Sequence, residues 1–231
     1  MSTGSTDNAS PIRLTVLISG SGSNLQALID QCGQPALPDA SIIRVISNRK
    51  DAFGLKRAET AHIPTAYHNL VKYKKQYPDT NVPPTFEMAR SEYDKDLAAM
   101  VLADKPDIVV CAGWMHILMP TFLDPLSQAG VPVINLHPAL PGRYNGAHAI
   151  ERAYNDFTQG KTDHTGIMIH YVISEVDMGQ PITTRRIDMK KDESLDQLEQ
   201  RVHENEWELI VLGTKMAIDD LQAKRRSGGQ P

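Results

Sequence analysis

The sequence predicts an α/β protein whose mostly parallel sheet carries helices on both faces. Three observations predict it. Short apolar, β-branched segments alternate with helical patterns as far as Leu136. A glycine-rich turn follows the first apolar segment. After Leu136, two segments of alternating polarity and a long final helical pattern indicate an antiparallel edge, so the predicted fold is a Rossmann-like sheet continued into a C-terminal part.

The composition is that of an ordinary globular protein, and it narrows the classes of partner. Of the 231 residues, 41% are hydrophobic and 23% are charged, which is enough to bury the core of one domain. The net charge of -4 predicts neither a nucleic-acid nor a membrane partner. Residues 1–10 are small and polar without signal-peptide features, so they predict a disordered tail, and two separated cysteines fit a cytoplasmic protein.

The first half of the chain predicts alternating strands and helices. In order, these are a strand at Ile12–Ser19, a helix at Asn24–Cys32, a strand at Ser41–Ser47, a helix at Ala52–Ala61, a short strand at His62–His68, a helix at Phe86–Ala103, and strands at Asp107–Ala112 and Val131–Leu136. The segment 71–84, VKYKKQYPDTNVPP, holds three prolines and little apolar pattern, and predicts a surface loop or insertion.

The second half predicts a helix, two extended segments and a long last helix. These lie at Ala147–Thr158, His164–Ile173 and Gln180–Met189, with the last helix opening at the capping-box pair of Ser194 and Gln197. Residues 223–231 predict a second tail. We therefore predict one domain over residues 11–222, with its first half ending at about residue 136.

The turn Ser19–Asn24, with the sequence SGSGSN, lies where a predicted strand passes into a helix. Glycines let a backbone turn tightly and approach a ligand, and a helix start offers free N–H groups to phosphate. Ser23 and Asn24 add side-chain donors. The turn has no lysine and misses the GxGxxG spacing, so it predicts neither a P-loop nor a dinucleotide site. The alternative is a plain tight turn with a polar helix cap.

Asn135 and His137 lie on one face of the strand that Pro138 ends, at the carboxyl edge of the sheet. An amide can donate to an oxyanion, and an imidazole carries protons near pH 7. Asp177 lies in the turn between the two late extended segments; near His137 it would fix the tautomer and raise the imidazole pKa. The alternatives are an ordinary histidine and a turn aspartate. No HxxxH or HExxH helix occurs, so no metal is predicted.

Together the motifs resemble the folate-dependent formyltransferase family, and within it the enzymes that formylate glycinamide ribonucleotide. The resemblance runs from about Leu14 to Leu212 and rests on six segments in order: VLISGSGSNLQALID, ISNRKDAFGLKRA, AGWMHILMP, NLHPALPGRYNGAHAI, HTGIMIHYVISEVDMGQPI and RVHENEW. It implies formyl transfer from 10-formyltetrahydrofolate, a cosubstrate, to the amine of that ribonucleotide without a metal. It also implies small-molecule partners and a monomer or weak homodimer.

The resemblance also implies residue roles. Asn135, His137 and Asp177 would be catalytic, with a protonated His137 and Asn135 stabilising an oxyanion. The N-terminal half would hold the ribonucleotide through Gly22, Ser23 and Asn24. His203 and Glu206 of the final helix would help to hold it. The C-terminal half would be the folate and catalytic half. The residues implied at the folate are Arg90, Met115, His116, Ile117, Leu118, Asn135, Ile173, Ser174, Glu175, Val176 and Asp177.

Glu206 has a signal of its own, because it falls on the apolar stripe of the last helix between Val202 and Leu209. A carboxylate there needs a partner, either a substrate hydroxyl or ammonium, or an arginine or lysine of the chain. Departures from the family pattern are His116 in place of an arginine, Pro-Ala-Leu-Pro-Gly after His137, and the insertion at 71–84.

Three other functions remain open on the sequence. Methionyl-tRNA formyltransferase and formyltetrahydrofolate hydrolase share the chemistry, but each is expected to carry an added domain. A non-catalytic nucleotide-binding module would explain the glycine-rich turn, but it would leave Asn135, His137 and Asp177 without a role.

Overall fold

The computed structural model describes residues 10–77 and 85–228. The strands of this part are β1 Ile12–Ile18, β2 Ala40–Ser47, β3 Thr65–Tyr67, β4 Ile108–Cys111, β5 Val133–His137, β6 His164–Tyr171 and β7 Pro181–Asp188. The helices are α1 Ser23–Gln31, α2 Phe53–Thr60, α3 Leu70–Gln76, α4 Thr85–Ala103, α5 Pro120–Gln128, α6 Ala149–Thr158 and α7 Leu195–Arg226. None of these helices is long and apolar enough to span a bilayer.

The strands form one sheet in the order β3-β2-β1-β4-β5-β6-β7. Strands β1 to β5 pair in parallel, while β6 pairs antiparallel with β5 and β7 pairs antiparallel with β6. This confirms the predicted fold class. The chain moves from one side of β1 to the other between β3 and β4, and ligands of such sheets bind at the carboxyl ends beside this switch point.

Two apolar cores cover the two faces of the sheet. Along β4, Val110 faces the core shared with α1, α2, α6 and α7, whereas Val109 faces the core shared with α3, α4 and α5. Both side chains are buried. Because successive strand residues point to opposite faces, a strand covered on both sides has to be apolar throughout. The near-continuous apolar runs in the sequence are the consequence.

Two helices lie where the sequence predicted none. The predicted loop at 71–84 is wrong in its first part, since α3 occupies Leu70–Gln76. The Asn69 side chain accepts from the Val71 N–H at 2.7 Å, and Tyr73 is buried. An N-cap and one buried aromatic residue are enough for a short helix. Helix α5 opens with Pro120 at its start and buries Phe122. Residues 78–84 lie outside the described part.

The last helix begins as predicted and ends later than predicted. The Ser194 side chain accepts from the Gln197 N–H, and the Gln197 side chain accepts from the Ser194 N–H, which confirms the capping box. The predicted tail boundary after residue 222 is wrong, because α7 continues to Arg226. Arg225 there bonds Asp107 at 2.5 Å, and cations are favourable at a helix C-terminus. Of the predicted tail 1–10, residues 1–9 lie outside the described part.

Candidate active site

The candidate site lies at the carboxyl ends of the central strands. The glycine-rich turn follows β1, the segment 112–119 follows β4, and β5 ends at His137. The buried Ser19 hydroxyl accepts the Met115 N–H at 2.9 Å, which connects the first two of these loops. Three neighbouring strand ends therefore deliver their loops to one edge, as the parallel topology requires.

The turn before α1 requires glycine at position 22. Gly22 has a φ of 70°, in the left-handed region that side chains disfavour. A Cβ built there would come within 2.5 Å of the Gly54 Cα, because the start of α2 packs directly on the turn. The first N–H groups of α1 have no intrahelical acceptor, as at every helix start, and Gly22 has no side chain to cap them. This end of α1 is suited to bind an anion.

Three predicted ribonucleotide-binding side chains form a cluster between α1 and α7. Glu206 is only 4% exposed, and its Oε2 lies 3.0 Å from Asn24 Nδ2 and 3.1 Å from His203 Nδ1. The structure thus gives Glu206 an amide and an imidazole as partners. The bond to Glu206 is the main reason why the pKa of His203 is raised. The Glu206 carboxylate is held at the N-terminal end of α1, next to the glycine-rich turn.

The three residues predicted as catalytic, which are Asn135, His137 and Asp177, lie together with a fourth, His170. Asp177 Oδ2 is 3.4 Å from His137 Nδ1, and Asp177 Oδ1 is 3.5 Å from His170 Nε2. Asn135 Nδ2 lies 3.2 Å from that same His170 nitrogen. The four side chains form a continuous polar chain, and His137 and His170 are buried. Asn135 and Asp177 are half-buried, and the carboxylate side chain of Asp177 is only 9% exposed, so the chain has little contact with bulk water.

His170 is the residue that the sequence missed. It is one of eight histidines, and nothing local distinguishes it. Its place follows from the antiparallel register of β5 and β6, in which Asn135 is the direct partner of His170. Its Nδ1 faces the Tyr171 carbonyl at 2.9 Å, which leaves Nε2 to face Asn135 and Asp177. A sequence prediction of β6 next to β5 would have identified it.

The segment 143–148, between β5 and α6, completes the surroundings of His137 and Asp177. The Tyr144 carbonyl faces His137 Nε2 at 3.2 Å. The Gly146 N–H donates to Asp177 Oδ2 at 2.7 Å, and Asn145 Nδ2 donates to the Val176 carbonyl at 3.3 Å. The backbone of this segment therefore contacts both the end of β5 and the turn after β6.

Burial and charge set the protonation of this pair. Burial lowers the pKa of His137 below its ordinary value, although Asp177 works to raise it. Asp177 acts in the expected direction, but desolvation outweighs the carboxylate, so the net direction is opposite to that of a ring protonated at rest. Burial works to raise the pKa of Asp177, but its bonds to His170 and the Gly146 N–H, with the nearby imidazoles, bring the pKa below its ordinary value. Near neutral pH the pair is a carboxylate beside a neutral imidazole.

The predicted folate residues divide into exposed and buried sets. Met115 is 70% exposed and Ile117 is 61% exposed, whereas Leu118 between β4 and α5 is buried in the core. In the turn after β6, Ile173 is exposed, Ser174 and Glu175 are exposed, and Val176 is half-buried. Exposed apolar side chains thus lie in the loop after β4 and in the turn after β6, and exposed apolar groups can mark a ligand-binding surface.

Arg90 is engaged inside the protein. The side chain is 9% exposed, and its guanidinium bonds the Ile117 carbonyl, His116 Nδ1 at 3.0 Å and Asp94 Oδ2 at 3.4 Å. Asp94 also accepts the Met119 N–H at 2.8 Å. Burial raises the pKa of Asp94 to about 6, against the opposing effect of Arg90. Arg90 and Asp94 of α4 therefore hold the loop that carries Met115 and Ile117 through its backbone, at the Ile117 carbonyl and the Met119 N–H.

His116 occupies the position where an arginine was expected. Its ring lies beside those of Tyr93 and Trp114, with centroids 5.5 Å and 5.7 Å away. Burial and the adjacent Arg90 lower the pKa of His116 to about 4, so it is neutral near pH 7. The site therefore has one cation fewer at this loop than an arginine would supply. Among residues 10–77 and 85–228, no group of three or more His, Cys, Asp or Glu side chains is placed to hold a metal ion.

Comparison with known proteins defines the class to which this fold and site belong. The family model described as formyl transferase matches residues 12–214. The chain belongs to this family, whose members use a folate-derived formyl donor.

Within the family, the chain is similar to phosphoribosylglycinamide formyltransferases. That of Schizosaccharomyces pombe is 47% identical over 208 residues, which cover 90% of this chain and 97% of that protein. That of Saccharomyces cerevisiae is 46% identical over 213 residues, with 90% and 98% covered. The crystal structure of the Streptococcus pneumoniae enzyme superposes with a TM-score of 0.73 at 28% identity, covering 90% of this chain and 99% of that one.

Proposed function

We propose that the protein transfers the formyl group of 10-formyltetrahydrofolate to the amine of glycinamide ribonucleotide. The products are N-formylglycinamide ribonucleotide and tetrahydrofolate, in de novo purine biosynthesis. The observation that carries the proposal is the contact of His137 with Asp177 at 3.4 Å, at the same sheet edge as a helix start suited to phosphate. The family and the similar enzymes described above support it.

The attacking amine forms a bond to the formyl carbon, and the carbonyl π electrons move onto the formyl oxygen. Asn135 donates its amide N–H to this oxyanion, and His137 donates an imidazole N–H to it. Hydrogen-bond donors already in place where charge develops make the largest single contribution to the rate enhancement of many enzymes. Because burial lowers the pKa of His137, the ring starts neutral, with its one N–H at Nε2, the nitrogen that faces the Tyr144 carbonyl. Nε2 gives this N–H to the oxyanion, and Nδ1, which faces Asp177, can accept a proton.

One proton has to move from the attacking nitrogen to the leaving folate nitrogen. Asp177, ionised at neutral pH, accepts this proton through a water. Its negative charge also stabilises His137 whenever the imidazole carries a proton. The oxyanion electrons then re-form the carbonyl as the carbon–nitrogen bond to the folate breaks. The electron pair of that bond returns to the folate nitrogen, and this nitrogen takes the proton. The net result is one formyl group and one proton exchanged between two nitrogens, so no oxidant or reductant is needed.

The ribonucleotide is bound between the start of α1 and α7. The start of α1 at Gly22, Ser23 and Asn24 receives the phosphate, where free N–H groups and the helix dipole favour negative charge. Glu206 accepts hydrogen bonds from the ribose hydroxyls, and its contact with Asn24 ties this position to the phosphate loop. His203, bonded to Glu206, holds the carboxylate in place.

The folate donor needs a flat apolar surface with polar groups at its edges. The exposed side chains of Met115, Ile117 and Ile173 supply apolar contacts on two sides of the catalytic group. Arg90 supports the loop 115–118 and, with its partners engaged, acts on the folate through that loop. The predicted cytoplasmic location and the predicted monomeric or weakly dimeric state stay predictions.

The proposed function is tested with purified protein and a donor labelled in its formyl group. Glycinamide ribonucleotide, initiator methionyl-tRNA and water alone are offered in separate reactions. We expect the label in the ribonucleotide only. Label in the tRNA or release as formate would assign the chain to one of the related activities, and no turnover of the donor would favour a binding module.

Substitution of Gly22 tests the phosphate loop. Gly22→Ala is expected to strain the backbone by roughly 1–3 kcal/mol, because a side chain at positive φ also meets the Gly54 backbone. The melting temperature should fall, and KM for the ribonucleotide should rise far more than KM for the folate donor. Gly33→Ala is the control, since Gly33 also has positive φ but its Cβ meets nothing within 4 Å. Equal changes in both KM values would contradict a phosphate role.

A further inference from the structure

We propose that Arg152 is a positioning residue for this reaction: from α6 it fixes the segment 143–148, whose backbone holds His137 and Asp177 in their working orientation. The proposal rests on the proposed function of the same site and extends it to a residue outside the predicted catalytic and binding sets.

The segment is the direct connection between the two catalytic side chains. Its Tyr144 carbonyl is 3.2 Å from His137 Nε2, and its Gly146 N–H donates to Asp177 Oδ2 at 2.7 Å. His137 Nδ1 and the Gly146 N–H therefore converge on the same Asp177 oxygen. A shift of this backbone would move an acceptor away from His137 and a donor away from Asp177 at the same time.

The backbone of the segment adopts positive φ angles at two residues that carry side chains. Tyr144 has a φ of 50° and His148 a φ of 58°, and Gly146 and Gly142, the residue directly before the segment, also have positive φ. Left-handed conformations are disfavoured for residues with a side chain and persist where surrounding contacts impose them. Asp177, the partner of the segment, has a φ of 56° as well. External contacts must therefore maintain this geometry.

Arg152 supplies the central contact. Its Nη2 donates to the Tyr144 carbonyl and, at 2.7 Å, to the Asn145 carbonyl. The guanidinium also lies 5.9 Å from the centre of the Tyr144 ring. The Tyr144 carbonyl is thus shared between Arg152 and His137, and the position of one donor sets the position available to the other. The Tyr144 hydroxyl bonds Asp156, also on α6, at 3.0 Å.

Arg152 also acts on His137 through its charge. The charged and titratable groups that face His137 are Asp177 from the turn after β6, His170 from β6 and Arg152 from α6. The charge of Arg152 opposes protonation of His137, as burial does. Loss of Arg152 should therefore raise the pKa of His137, an effect that a purely structural arginine on α6 would not have.

The test compares Arg152→Met, Arg152→Lys and the matched control Arg186→Met. Arg186 is an exposed arginine on β7 paired with Asp188 and Asp163. Arg152→Met is expected to lower kcat roughly 10- to 100-fold with both KM values near wild type, because a misplacement of ~1 Å can cost ~10²-fold. Arg152→Lys keeps the charge and a donor and should recover part of kcat. Arg186→Met should retain wild-type kcat.

A second readout is independent of turnover. The pKa of the His137 imidazole is measured by NMR titration, with His137→Gln to assign its signal. It should rise in Arg152→Met and stay at the wild-type value in Arg152→Lys and Arg186→Met. If wild type transfers no formyl group to the ribonucleotide, the proposed function is wrong, and the titration still decides whether Arg152 controls His137. Wild-type kcat and pKa in Arg152→Met would overturn the proposal, as would a loss of kcat that only follows the melting temperature.

Discussion

Replacing His137 with alanine is expected to lower kcat by about 10²–10⁴-fold, the range for loss of a positioned acid–base group. His137 is 4% exposed, with Nδ1 facing Asp177 and Nε2 facing the Tyr144 carbonyl. Because burial lowers its pKa, the imidazole is neutral at pH 7 and can give a hydrogen bond and take a proton within one turnover. Alanine can do neither, and Asp177 loses one of its partners.

The KM values should change little, since the ribonucleotide and the folate donor are held mainly by other residues. His164→Ala is the matched control, because His164 lies at the other end of the strand that carries His170 and its ring bonds the adjacent Asp163. His137→Gln, which keeps a polar side chain of similar reach, checks that the loss follows the imidazole and is independent of folding. A His137→Ala enzyme that keeps most of its kcat with an unchanged melting temperature would remove His137 from the mechanism.

The sheet was predictable because its strands are covered on both faces. Buried residues such as Leu14, Val16 and Leu17 make a short apolar run that ends at a glycine-rich turn, which is typical of a buried strand. Helices α3 and α5 were not predicted, because each is short and lies in or beside a segment that contains prolines. Helix α5 carries Pro120 and Pro125, and α3 adjoins the proline-rich segment 78–84. A proline at a helix start is compatible with the helix, but in the sequence alone prolines indicate a turn or a loop.

The site was predictable where its residues share a strand or a turn. Asn135 and His137 are two residues apart on β5, so their common face follows from strand geometry alone. His170 could not be predicted in this way, since its contact with Asn135 depends on which strand lies beside β5 and in which register. The neutral state of His137 could not be predicted either, because the sign of its pKa shift depends on how far burial outweighs Asp177.

Asp177→Asn is the second substitution with a large expected effect. The aspartate lies at a φ of 56°, a conformation that asparagine adopts as readily, so the backbone of the turn can be kept. The asparagine oxygen can still accept the Gly146 N–H, and its amide can still face His170. The substitution therefore removes the negative charge with little change in shape.

Loss of this charge should lower kcat by about 10²–10⁴-fold, because the carboxylate is needed while a proton leaves the attacking nitrogen. KM should change far less, since the charge matters most in the transition state. The pH profile should move as well. Asp177 works to raise the pKa of His137, so its removal lowers that pKa further. Because the neutral imidazole is the active form, the loss of kcat on acidification should begin at a lower pH than in the wild type.

The pH–rate profiles of wild type, Asp177→Asn and the control Asp192→Asn, which alters an exposed residue in the turn before α7, decide the role of the carboxylate. A turn aspartate is replaced by asparagine at little cost, because both residues suit turns. Unchanged kcat and an unchanged profile in Asp177→Asn would therefore reduce Asp177 to a turn residue and leave the chemistry to Asn135 and His137. A fall in kcat with the acid limb displaced upward would instead mean that Asp177 opposes protonation of His137, contrary to a negative charge 3.4 Å from the ring. Only a lower kcat together with a downward displacement fits a carboxylate that both moves the proton and supports the imidazole.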